Sequence, residues 1–171
     1  MPAMMRSYGI LIRKGVSNML LEEVLSDYIL ARKRHEFYMG EKAFEAHHIL
    51  RTEVTNGVTN VYMLVRFAWF EFENGVFTSA SGTGGIPVKM ELRKSENGEY
   101  EVISYKEPMD GGMWQTSLEE MFTDDLIQSV TNKDKMVQWE KEQVGIITEK
   151  AADYLKSIGR KDFPLEYGYV P

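Results

Sequence analysis

Apolar residues recur at helical spacing near both ends of the chain, and a long β-patterned stretch lies between them. Leu20, Leu21, Val24, Leu25, Tyr28 and Ile29 alternate with Glu22, Glu23 and Asp27, which predicts a helix over residues 18–34. Ser17 or Asn18 is placed to cap its start. Residues 44–106 then read as strands punctuated by Asn56-Gly57, Asn74-Gly75 and Asn97-Gly98. Asn-Gly is a strong hairpin signal because both residues tolerate positive φ, so three such turns predict at least four strands joined as an antiparallel meander. The strand from Ile86 carries Ile86, Val88, Met90 and Leu92 on one parity and Lys89, Glu91 and Arg93 on the other, the pattern of one buried and one wet face. Residues 60–73 differ. Val61, Met63, Val65, Phe67 and Trp69 fill one parity while Tyr62, Leu64, Ala68, Phe70 and Phe72 fill the other, so this strand is expected at the sheet centre with both faces covered.

The last block is helical again. Ser117-Leu-Glu-Glu120 matches a capping box, and Thr123 is placed to cap a short helix through Val130. Residues 133–158 form the longest helical pattern. Val137, Val144, Ile147, Ala151, Tyr154, Leu155 and Ile158 make its stripe, and Gly159 its C-terminal cap. Helix, meander, helices is an α+β order rather than an alternating βαβ one. The expected fold is a curved antiparallel meander of four to six strands. The N-terminal helix and the C-terminal helices pack on one face of it, cystatin-like or NTF2-like in outline. No internal repeat or low-complexity linker divides the chain. Residues 1–171 are therefore read as one domain, with 1–17 and 161–171 as loosely ordered termini.

Composition narrows the chemistry. The 171 residues are 43% hydrophobic and 27% charged, in the globular range, and contain no cysteine. Disulfide frameworks, thiolate metal sites and cysteine nucleophiles are thereby excluded. The net charge of −6 argues against nucleic acid as a partner. The longest apolar run, Val61 to Phe70, is too short to span a membrane and carries Arg66, so membrane insertion by this chain is not expected. The basic run Arg32-Lys-Arg-His35 falls at a helix end, where cations complement the dipole.

Motifs that would carry catalysis are incomplete. His35-Glu36-Phe37-Tyr38-Met39 has Met39 where a zinc peptidase needs its second histidine. His47 and His48 are adjacent, and on a strand they point to opposite faces and cannot readily share a metal. Ser81-Gly-Thr-Gly-Gly85 leads into a strand rather than a helix and lacks a closing lysine, so it reads as a turn or bulge and not a phosphate cradle. Ser117 and Ser129 lie in no nucleophile elbow. The cluster Phe67, Trp69, Phe70 and Phe72 lacks the basic groove of a base-stacking platform and reads as core. No catalytic residue, cofactor or metal is expected.

Five phrases in order, Phe70-Glu-Phe-Glu-Asn-Gly-Val-Phe77, Ser81-Gly-Thr-Gly-Gly-Ile-Pro87, Tyr105-Lys-Glu-Pro-Met-Asp-Gly111, Glu119-Glu-Met-Phe122 and Tyr154-Leu-Lys-Ser-Ile-Gly-Arg160, resemble a bacterial domain. It follows the membrane-metallopeptidase part of beta-lactam-sensor-type (BlaR-like) proteins, mostly of Firmicutes. The likeness spans roughly residues 20–160. It implies a non-catalytic extracytoplasmic module of a membrane regulator; without it the chain would be read as cytoplasmic. The chain departs from that context in having neither membrane spans nor a zinc-peptidase motif, so no peptidase activity carries over.

The expected function is a sensing or protein-interaction domain whose partner is a protein or a small anionic ligand. The alternative is an NTF2-like pocket between sheet and helices, with catalysis open. The one candidate ligand residue is Arg66, the only charge between Val61 and Phe70. Its guanidinium keeps its proton and needs an acceptor, either a carboxylate of a neighbouring element or a bound anion.

Overall fold

The computed structural model describes residues 20–167. The elements run α1 (Leu21–Lys33), β1 (Lys42–Thr55), β2 (Val58–Glu73), β3 (Val76–Gly82), β4 (Ile86–Lys94), β5 (Tyr100–Lys106), α2 (Trp114–Met121), α3 (Asp124–Thr131), α4 (Lys133–Ser157) and β6 (Leu165–Glu166). The expected α+β order holds. Ser17 and Asn18 lie outside the described residues. At Leu20 the backbone N–H donates to the Glu23 carboxylate at 3.1 Å, which anchors the first turn of α1.

Two of the three Asn-Gly pairs make tight hairpins with both residues at positive φ: Asn56 and Gly57 at 52° and 76°, Asn74 and Gly75 at 48° and 80°. These are type I′ angles, whose twist matches that of the flanking strands. At the third pair only Gly98 is left-handed, and the turn is closed by Ser95 and Glu99.

The simple meander is corrected between β3 and β4. Along one edge β2 pairs with β1 from Val58↔Thr55 to Phe70↔Lys42. Along its other edge it pairs first with β4, up to Val65↔Ile86, and then with β3, from Ala68↔Gly82. β3 and β4 therefore lie end to end on one side of β2, because a 16-residue strand offers room for a 7-residue and a 9-residue partner in succession. Thr83–Gly85, the end of the Ser81–Gly85 run, is the break between them. Thr83 spans it by donating its N–H to the Phe67 carbonyl and accepting the Phe67 N–H on Oγ1. A Cβ at Gly82 would collide with the Phe67 carbonyl, so this bend requires glycine. Outside β4 lies antiparallel β5, and outside β3 the short β6 runs parallel, which places part of segment 161–167 in the sheet.

Helices cover both faces of the sheet, not one. On the odd parity of β2, Val61, Met63 and Val65 pack with Val88, Met90 and Leu92 against Leu25 and Ile29 of α1. On the even parity, Tyr62 and Leu64 meet Leu118, Phe122, Leu126 and Val130 of the α2–α3 region. Ala68 and Phe70 meet Ile147, Ala151 and Leu155 of α4. The cause is the double-sided apolar pattern of β2, whose exposure on either face would be costly.

Two expected helix caps do not act as caps. Ser117 is not a cap: α2 begins three residues earlier, and the buried Ser117 hydroxyl donates to the Met113 and Trp114 carbonyls and accepts the Met109 N–H. Thr123 does occupy the N-cap position of α3, but its hydroxyl donates to Asp125 rather than capping the backbone. Gly159 closes α4 as expected. Its φ is +75°, and the bonds Gly159 N–H to Lys156 O and Arg160 N–H to Leu155 O form a Schellman pair. The buried stripe of α4 is narrower than expected, Gln143, Ile147, Ala151 and Leu155, while Val137 and Ile158 are exposed.

Gly145 lies inside α4 with open space where a Cβ would stand. Gly145→Ala should raise the unfolding free energy by about 0.5–1 kcal/mol, because alanine loses less backbone freedom on folding. Urea denaturation of the two proteins checks this, and an unchanged midpoint would refute it.

Candidate functional site

Among the described residues β1 pairs with β2 alone, and its outer edge runs between α1 on one face and α4 on the other. Polar groups from all three elements meet there. Glu45 and His47 are two apart on the strand, so both project from the odd face toward α1, while Phe44 and Ala46 point to the other core. The Glu45 side chain is fully buried. Its Oε1 accepts from Ser26 Oγ of α1 at 2.5 Å and from Lys150 Nζ of α4 at 2.9 Å, and its Oε2 lies 2.9 Å from His47 Nδ1. His47 Nε2 lies 2.7 Å from Glu22 Oε2 on the first turn of α1. Lys150 also donates to the Glu45 backbone carbonyl at 2.7 Å, which blunts the open strand edge.

This network floors a cleft of about 310 Å³ walled by Glu22, Glu23 and Asp27. A second cleft of about 420 Å³ continues along β1 past Phe44 and Lys42.

The electrostatics follow from burial against partners. Burial alone would raise the Glu45 carboxyl, but the hydrogen bond and charge of His47, then Lys150 and Ser26, bring it down to about 2. Burial alone would lower His47, and Glu45 and Glu22 together more than offset this and raise it above its ordinary 6.5. As imidazolium His47 donates from both ring nitrogens, which leaves no lone pair to act as a base. Ser26 donates its proton to Glu45, and a carboxyl held down to about 2 is too weak a base to activate the hydroxyl. The arrangement suits holding elements together by charge better than nucleophilic chemistry.

A group whose folded pKa is depressed contributes stability above its unfolded pKa and loses it as pH falls through the folded value. For Glu45 that window runs from 4.5 down to about 2. The wild-type protein should lose stability through this range, and Glu45→Gln should be less stable at pH 7 and show a shallower acid limb. Urea midpoints between pH 7 and pH 2 test this; parallel acid limbs would refute it.

Arg66 lies elsewhere, on the even face beneath α4. It is 7% exposed, and its guanidinium is paired with Glu140, whose side chain is 26% exposed. Among the described residues its Nε has no hydrogen-bond partner. Beside it the buried Gln143 donates to the Leu64 and Ala46 carbonyls at 2.9 and 3.4 Å. His48 points to this same face, 5.0 Å from the Trp139 ring, so the two adjacent histidines do diverge. A third charged group, buried Lys33, joins Glu36 and Glu107 at 2.7 and 2.5 Å and ties the end of α1 to the segment after β5. Among the described residues no three histidine or carboxylate side chains are arranged to hold a metal ion.

Reading the sequence by motif missed the β1-edge network. Its signal was present in Phe44-Glu45-Ala46-His47, where the strand period puts the acid and the imidazole on one side. Nothing local pointed to Ser26 or Lys150. No family model, curated protein or solved structure matches this chain.

Proposed function

We propose that this chain is a non-catalytic sensing or protein-interaction domain of a bacterial membrane-associated regulatory protein, presented on the extracytoplasmic face. The observation that carries the non-catalytic part is the filled interior. Leu25, Ile29, Val61, Met63, Val65 and Met90 occupy the space under α1 with no exposed surface, and Leu64, Leu118 and Ile147 do the same under the other helices. An NTF2-like pocket would need that volume. The five phrases resembling the beta-lactam-sensor-type domain support the regulatory setting. The polar contact surface is the β1-edge cleft, where exposed carboxylates of α1 surround a network already satisfied internally.

A photo-crosslinking residue placed at Glu23, on the cleft wall, tests the interaction in living cells, with exposed Gln128 on α3 as control. A discrete protein adduct from position 23 alone is the expected result. Absence of an adduct, or equal adducts from both positions, would overturn the reading.

A further inference from the structure

We propose that His47 is a proton-operated latch, which as imidazolium ties the first turn of α1 to β1 and on losing its proton releases Glu22 and that turn. The inference rests on the sensing reading of the same cleft and gives it a stimulus. The geometry is asymmetric. One ring nitrogen faces Glu45, fully buried on the strand, and the other faces Glu22, whose side chain is 65% exposed on the helix. When the ring is neutral, one nitrogen keeps its proton and the other is an acceptor. The buried Glu45 has no access to water, so Nδ1–H stays on it. Nε2 then presents a lone pair to a carboxylate oxygen 2.7 Å away, and that contact has no proton to hold it. Glu22 can turn into solvent; Glu45 cannot.

The charges facing His47 favour the same outcome. From α1 come Glu22, Glu23 and Asp27, from β1 Glu45, and from α4 Lys150. The cross-strand neighbour on β2 is the apolar Val65. Among the described residues, four carboxylates thus stand with two cations when His47 is charged and one when it is not. The rest of the fold is held by other means. Lys150 and Ser26 remain on Glu45, Leu25 and Ile29 are buried beneath α1, and Lys33 pins its far end. Release is therefore confined to the first turn of the helix and opens the cleft on its acidic side. Because His47 is raised, its contribution is complete below the unfolded value and is lost as pH rises through the folded one. The latch is closed in mild acid and opens toward alkaline pH.

The test uses the full chain and two readouts: NMR titration of the His47 ring, and hydrogen exchange of the Val24, Leu25 and Ser26 amides corrected for intrinsic base catalysis. In the wild type, His47 should titrate above 6.5 and the corrected exchange should accelerate through the same midpoint. Glu22→Gln should shift that midpoint downward, and both Glu22→Gln and His47→Gln should lose the exchange step. If His47→Gln fails to fold, Glu22→Gln decides alone, since its side chain is at the surface. A His47 midpoint at or below 6.5, or an exchange step that survives in a folded variant, would overturn the latch. The crosslinking result stands apart. An adduct at position 23 with no exchange step leaves an interaction domain without a latch, and the converse leaves a latch without that partner.

Discussion

Ile147→Ala is expected to lower the unfolding free energy by about 2–5 kcal/mol, whereas Val137→Ala on the same helix should change it by no more than about 0.5 kcal/mol. Both residues belong to the apolar stripe that the sequence assigns to α4. Ile147 is fully buried between Ala68 and Phe70 of β2 and the neighbouring α4 residues Ala151 and Leu155. Truncating it removes buried methyl groups and leaves a cavity whose walls, Phe44, Phe70 and Phe77 among them, are interlocked aromatic rings with little freedom to collapse. Val137 is 47% exposed, so its truncation removes little buried surface. Paired urea denaturation curves measure both. Equal small losses would mean that α4 does not pack as described; equal large losses would mean that its first turns are buried by something further.

That contrast also shows how far periodicity reaches. A helical stripe tells which side of a helix is apolar but not how wide the contact is, because the width depends on the curvature of the surface beneath. In α4 the fully buried positions form one row, at i and i+4 spacing, with partly buried residues such as Trp139 and Tyr154 beside it, and that row includes Gln143. A buried glutamine is illegible in advance, since its partners are the backbone carbonyls of Ala46 and Leu64, nearly a hundred and nearly eighty residues away. The hairpins at Asn56-Gly57 and Asn74-Gly75 were legible because their cause is local. So was the central position of β2, from its two apolar parities. The end-to-end placement of β3 and β4 was not, for it follows from the length of their shared partner. Of the cleft network, the Glu45 and His47 pair was readable from strand alternation, but Glu22, Ser26 and Lys150 arrive by tertiary packing of two helices on opposite faces. Arg66 shows both sides of this. The need for an acceptor could be read from the chain, and its identity, Glu140, could not.

Breaking that pair from its two ends should give unequal results. Glu140→Ala leaves a 7% exposed guanidinium with no carboxylate, and removing one partner of a buried pair typically costs about 3–5 kcal/mol. The lower end, about 3 kcal/mol, is expected here, because the space vacated by a partly exposed side chain admits water. Arg66→Met should cost no more than about 1 kcal/mol. The stranded Glu140 can turn to solvent, the unpartnered Nε disappears, and an unbranched apolar chain takes its place beside Leu64 and Ala68 on the same strand face. The double variant should recover most of the loss seen in Glu140→Ala, which denaturation of all four proteins would measure as a coupling free energy. An anion can then be used to probe the same position. If the guanidinium is the destabilising group, sodium acetate should raise the melting temperature of Glu140→Ala beyond its effect on the wild type, and should not do so for the double variant. Equal losses from the two single substitutions would mean that Glu140 is as confined as Arg66. Failure of acetate to distinguish the variants would mean that no small carboxylate reaches the guanidinium, and that Arg66 serves to join β2 to α4 rather than to receive a ligand.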